Sequence, residues 1–202
     1  MNIDVLVLGG GSAGMTAAAA AQALGLRVLL CEATDQVGGT SASAGGTIWI
    51  PLTHHAQAAG VSDTRENVLR YLKTLIGDSK GDKLIETFVD SGAAAVRFLE
   101  QHTELHLMLV PRHPDYRHEI PGSTVGGRAL APKPFDARRL GRDFKQVRPP
   151  RADFMAFGKM MVSRDDLAPL TNPKGRVAAI LTNAASVVTR ESAAHRCPAQ
   201  RP

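Results

Sequence analysis

Short apolar runs separated by glycines open the chain. Residues 3–8 are apolar except at Asp4, too few for a helix and rich enough in Ile, Val and Leu for a strand buried on both faces. Gly9, Gly11 and Gly14 follow in G-x-G-x-x-G spacing. Residues 13–24 are almost entirely Ala, Met, Thr, Gln and Leu, which predicts a helix, and Gly25 stops it. A second apolar run, residues 27–31, delivers Glu32. Strand, glycine turn, helix, strand, acid is the opening of a doubly wound, Rossmann-like α/β domain with a mostly parallel sheet.

Helical periodicity takes over further along. Residues 47–51 form a β-prone run ended by Pro51. Residues 63–76 read as a helix with Asp63 as N-cap and Glu66 three positions on; Val68, Leu69, Leu72, Leu75 and Ile76 supply the apolar stripe. Residues 82–102 are a second helix, with Leu84, Ile85, Phe88, Val89, Ala95, Val96 and Leu99 at helical spacing. Residues 105–110 are a plausible strand. From 111 to 151 the pattern dissolves into a long segment with seven prolines and glycines at 122, 126, 127 and 141, the kind of irregular stretch that is functional or disordered. The predicted divisions are 1–110 for the nucleotide-binding unit with its helical insertion, 111–170 for the Pro/Gly-rich segment, and 171–202 for a poorly defined tail. Within that tail, residues 176–189 are apolar enough for one more helix or strand.

Composition narrows the class. In 202 residues, 44% are hydrophobic and 21% charged, as in an ordinary globular chain. No uninterrupted apolar stretch reaches the ~18 residues that span a bilayer, and MNIDV lacks the basic start of a signal peptide, so a cytoplasmic protein is expected. Two cysteines make no disulfide framework; Cys31, in a predicted buried strand, reads as a small core hydrophobe. The net charge of +5 conceals an asymmetry, −4 over residues 1–111 and +9 over 112–202. The basic residues are scattered among prolines and few aromatics accompany them, which argues against nucleic-acid binding. Arg128, Arg138 and Arg139 read as solvated charges. Trp49 and Tyr71 read as packing residues, and His54-His55 has no third ligand at zinc-like spacing, so no metal site is predicted.

The glycine turn carries the chemistry. Gly9 turns the chain out of the strand, Gly11 admits a pyrophosphate, and Gly14 lets the helix pack close. First-turn N–H groups and the helix dipole attract phosphate there, at Ser12 and Ala13. Glu32, 18 residues after Gly14 and followed by Ala33, can accept both ribose hydroxyls of an adenosine and repels a 2′-phosphate, which disfavours NADP. A second loop, with Gly38, Gly39, Thr40, Ser41, Ser43, Ala44, Gly45 and Gly46, suggests another close backbone approach, as the longer FAD requires.

GGGSAG, Glu32 and GGTSASAGGTIWIP together resemble the FAD-binding domain of the fumarate reductase flavoprotein superfamily, and within it the 3-ketosteroid delta-1-dehydrogenases. The resemblance covers about residues 1–170 and includes HPDYRHEIPG, GGRALAPKPFDARRLG and RADFMAFGKMM. It implies that Glu32 holds the adenosine ribose, residues 11–14 the pyrophosphate, and residues 39–46 the ribityl and flavin side. It also implies removal of two hydrogens from adjacent carbons of a ketone-bearing ring such as a steroid, with hydride passing to flavin N5 and electrons leaving to an external acceptor. Tyr116 would be an auxiliary proton-handling residue. Family members run two to three times longer, and the rest of the FAD site and the main catalytic base are expected outside this stretch. A fumarate reductase or succinate dehydrogenase type flavoprotein and a non-catalytic FAD-binding fragment stand as alternatives.

Overall fold

A computed structural model of the chain describes residues 2–77, 81–156 and 160–161. They fall into two compact units, Met1–Thr34 with Gly46–Lys133, and Asp35–Gly45 with residues from Pro134 onward. The apolar run 176–189 and the tail lie outside the described residues.

The first unit begins as the glycine pattern predicts. β1 (Val5–Leu8) and β2 (Val28–Cys31) pair in parallel, Val5 beside Val28 and Leu8 beside Cys31. The crossover helix α1 (Ser12–Ala23) packs along both strands, and Gly25 takes a φ of +84° just beyond its end. Asp4 and Arg27 clamp the strands where they start: the Arg27 amide and Nε both donate to Asp4 Oδ2, at 2.9 and 2.8 Å, and Nη2 donates to Oδ1 at 2.8 Å.

The expectation of strands buried on both faces is not met. Only alternate residues are covered: Val5, Val7, Val28 and Leu30 are half-buried, while Leu6 is 58% and Leu8 77% exposed. With two strands and one helix, a second layer over the outer face is absent among the described residues. Cys31 lies on that outer face and is exposed, so its reading as a core hydrophobe is also corrected. Each exposed leucine forgoes the roughly 1.5–3 kcal/mol that full burial supplies.

The core sits further along. β3 (Ile48–Trp49), β4 (Leu107–Leu109) and β5 (Ala129–Pro132) form an antiparallel sheet with β5 in the middle; Leu130 lies opposite Ile48 on one side and Leu109 on the other. The short helix α2 (His54–Ala58) precedes α3 (Arg65–Ile76) and α4 (Asp82–His102), and α3 packs on α4. Val96, Leu107 and Leu130 are fully buried together, with Ile50, Leu105 and Leu109 against them. No described helix is long and apolar enough to cross a membrane.

Two local expectations change. Thr64, not Asp63, caps α3: its Oγ1 accepts the Asn67 N–H at 3.2 Å, leaving Asp63 for a different partner. The stretch 111–151 is also more ordered than its prolines suggest, since it contributes β5 to the first unit and a kinked 3-10 segment, Ala137–Gln146, to the second.

Candidate functional site

The glycine turn joins β1 to α1. Gly9 has a φ of +102°, a left-handed conformation that disfavours a side chain. A Cβ on Gly14 would lie 1.9 Å from the Gly9 carbonyl oxygen, so the helix approaches the turn more closely than alanine permits. Gly11 differs from both. Its φ of −76° is ordinary, and a Cβ there would meet no protein atom within 4 Å. Neither the backbone conformation nor the packing of this turn demands glycine at position 11. No side chain caps the start of α1, and no acid lies in its first turn. Exposed Ser12 and Ala13 therefore present a helix start whose dipole and amides favour an anion.

Glu32 is tied directly to this turn. Its Oε2 accepts the Gly10 N–H at 2.6 Å, and its Oε1 accepts the Thr34 N–H at 3.1 Å and hydroxyl at 3.3 Å. The Gly10 amide, followed by that of Thr34, holds the carboxyl below its usual range, so it is ionised at neutral pH. The carboxylate is thus held by donors on both oxygens. The half-buried carboxylate is aimed and charged. Ala33, exposed, follows it. These residues fit an adenine dinucleotide by their chemistry: the open side of Gly11 and the helix start suit phosphates, and an ionised carboxylate suits a sugar hydroxyl.

The second glycine loop belongs to the other unit. Gly38, at φ +121°, enters a 3-10 turn over Gly39–Ser43, with Ala44 as its C-cap. A side chain on Gly38 would meet the Ala42 Cβ at 2.9 Å and the Arg148 Cβ at 3.4 Å. The Val37 amide donates to the Gln146 carbonyl at 2.7 Å and the Arg148 amide to the Val37 carbonyl at 2.9 Å, which pins the loop to the segment after the 3-10 stretch. Thr40, Ser41, Ala44 and Gly45 are exposed. Gly46 lies in the first unit at φ +74°, where a Cβ would sit 3.1 Å from the Pro132 ring. Arg138 is exposed and paired with Asp136, which it holds down at about 2; Arg139, also exposed, lies over the Phe135 ring.

Arg128 overturns its reading as a solvated charge. It is 1% exposed. Its Nε and Nη2 donate to the two oxygens of Asp63 at 2.7 and 2.9 Å, Nη1 donates to Asp115 Oδ2 at 2.9 Å, and Nη2 also reaches the Gly122 carbonyl at 2.9 Å. The guanidinium carbon lies 5.6 Å from the Trp49 ring centroid and 5.5 Å from that of Tyr71, and the Trp49 Nε1–H donates to Asp115 Oδ1 at 2.7 Å. Trp49 and Tyr71 are packing residues, as the sequence suggests, but the charge they pack on was not legible: Asp63 and Arg128 are 65 positions apart, and no local periodicity links them. Tyr116, next to Asp115, is 91% exposed, with His113 edge-on at 6.3 Å between ring centroids.

The glycine turn, the uncapped helix and the anchored acid define a dinucleotide-binding βαβ unit. The FAD binding domain family matches residues 4–196; the chain belongs to that family, and FAD is its cofactor. It is 38% identical over 175 residues to a 3-oxosteroid 1-dehydrogenase of Mycolicibacterium smegmatis, covering 85% of this chain and 30% of the relative. It is 40% identical over 157 residues to a 4-oxocyclohex-2-ene-1-carboxylate 5-dehydrogenase of Sinomonas cyclohexanicum, covering 78% of this chain and 26% of the relative. The fold resembles the crystal structure of 3-ketosteroid delta1-dehydrogenase from Sterolibacterium denitrificans in complex with 1,4-androstadiene-3,17-dione, with a TM-score of 0.81 and 32% identity over 90% of this chain and 33% of that one. The chain thus spans about a third or less of the length of these relatives.

Proposed function

We propose that this chain is the nucleotide-holding part of a flavin-dependent dehydrogenase acting on a cyclic ketone of the 3-ketosteroid type. The observation that carries the cofactor part is the contrast at the first turn: Gly14 is required by packing, whereas Gly11 faces open space beside an uncapped helix start. The pyrophosphate rests on residues 11–14, and Glu32 accepts the adenosine ribose hydroxyls. Gly38, Gly39, Thr40, Ser41, Ala44, Gly45 and Gly46 serve the ribityl and flavin side. When bound, FAD supplies the two-electron acceptor, and the chain's own residues hold and orient it.

The substrate class rests on the ketone-oxidising relatives. Two differently named dehydrogenases, one for a steroid ketone and one for an oxocyclohexene carboxylate, are similar to this chain at 38% and 40% identity, and both names specify a ring ketone. Tyr116 is the proposed auxiliary proton carrier of this reading, reached by substrate from solvent. The purified chain is expected to retain FAD, visible as flavin absorbance and quenched flavin fluorescence, and a 3-ketosteroid rather than succinate is expected to perturb that spectrum. Tight NAD binding with no flavin would overturn the cofactor assignment, and a response to succinate alone would overturn the substrate class.

A further inference from the structure

His54 and His55, at the start of α2, converge on one carboxylate of α4. The Glu100 Oε2 lies 3.1 Å from His54 Nε2, and its Oε1 lies 3.0 Å from His55 Nε2. The three side chains are half-buried or better, at 34%, 22% and 13% exposed. Glu100 is itself fixed from behind, since the Leu107 N–H donates to Oε1 at 2.8 Å. The two imidazole rings are 4.0 Å apart between centroids. Nothing in the dinucleotide site involves this cluster.

We propose that His54, His55 and Glu100 form a site for a divalent transition cation of the zinc type, which clips α2 to the end of α4. Two imidazole nitrogens and one carboxylate oxygen are the donors such an ion prefers, and their potential ligand atoms all lie within 4.8 Å of one another. Metal–ligand bonds of ~2.0–2.2 Å in a tetrahedral arrangement separate ligand atoms by about 3.4 Å, so the two histidine–carboxylate spacings need open by only a few tenths of an ångström. Water completes the coordination on the exposed side. The hydrogen bond from Leu107 orients the carboxylate as outer-shell bonds orient metal ligands generally. His54 is the weakest member. Its Nδ1 is buried without a hydrogen-bond partner, so the tautomer that frees Nε2 for the metal places an unpaired N–H there.

The test is a titration of the tag-free chain with Zn²⁺ against a competing chelating dye, with the melting curve followed in parallel. One ion per chain and a raised melting temperature are expected, with affinity falling as protons compete at lower pH. Glu100→Gln keeps an acceptor for the Leu107 N–H, so it preserves the local fold while losing the anionic ligand; this variant and His55→Ala each weaken binding at least tenfold, and His54→Ala weakens it less. Absence of one-to-one binding, or an affinity untouched by Glu100→Gln and His55→Ala, would overturn the site.

Discussion

Single glycines in the first turn do separate jobs. Gly14 serves the protein: its missing Cβ is replaced by the Gly9 carbonyl, and Gly14→Ala forces a backbone shift costing about 1–3 kcal/mol. A lowered melting temperature with or without flavin is the expected result; an unchanged melt would mean that α1 is free to slide outward. Glu32 was legible because its spacing after the turn is conferred by one helix and one strand. Its bond to the Gly10 N–H was not, because that contact depends on which rotamer the turn leaves open. Asp4 titrates as a second single-residue device. Hydrogen bonds from Arg27 depress its carboxyl from the ordinary aspartate range to about 2, so the folded state holds this group ionised more firmly than the unfolded chain does. The stabilisation is present above about pH 4 and is lost as pH falls toward 2. Urea unfolding between pH 5 and 2 should show a steeper loss for the natural chain than for Asp4→Asn.

At the scale of elements, prediction from the sequence succeeded where periodicity is strong. β1, α1 and β2 follow the glycine pattern, and α3 and α4 follow their apolar stripes, ending at Ile76 and His102 as read. It failed where the neighbour is distant. Asp63 carries the sequence signature of an N-cap, yet Thr64 takes that place and Asp63 turns to Arg128, a partner no local rule reveals. β5 is hidden in a proline-rich stretch because its strand character comes from pairing with β3 and β4 on either side. The buried Arg128 joins the segment before α3 to the loop before β5. Removing it strands two carboxylates of which little is exposed, so Arg128→Met is expected to destabilise the first unit by about 3–5 kcal/mol, read by chemical denaturation. A cost below 1 kcal/mol would mean that the cluster is solvated and dispensable.

For the whole molecule, the family and the geometry of the first turn agree on FAD, and the bare outer face of β1 and β2 explains why burial was overestimated: a strand's composition records the sheet it is suited to, and two strands with one helix cover one face only. The claim on which the rest stands is that the space beside Gly11 is reserved for the cofactor's phosphates. Gly11→Val tests it most directly, because φ at this position is ordinary and no protein atom lies within 4 Å of the new Cβ. FAD titration of both proteins, with far-ultraviolet circular dichroism on the same samples, is expected to show an unchanged fold and at least a tenfold loss of FAD affinity in the variant. Equal FAD affinity in the two proteins would contradict the account.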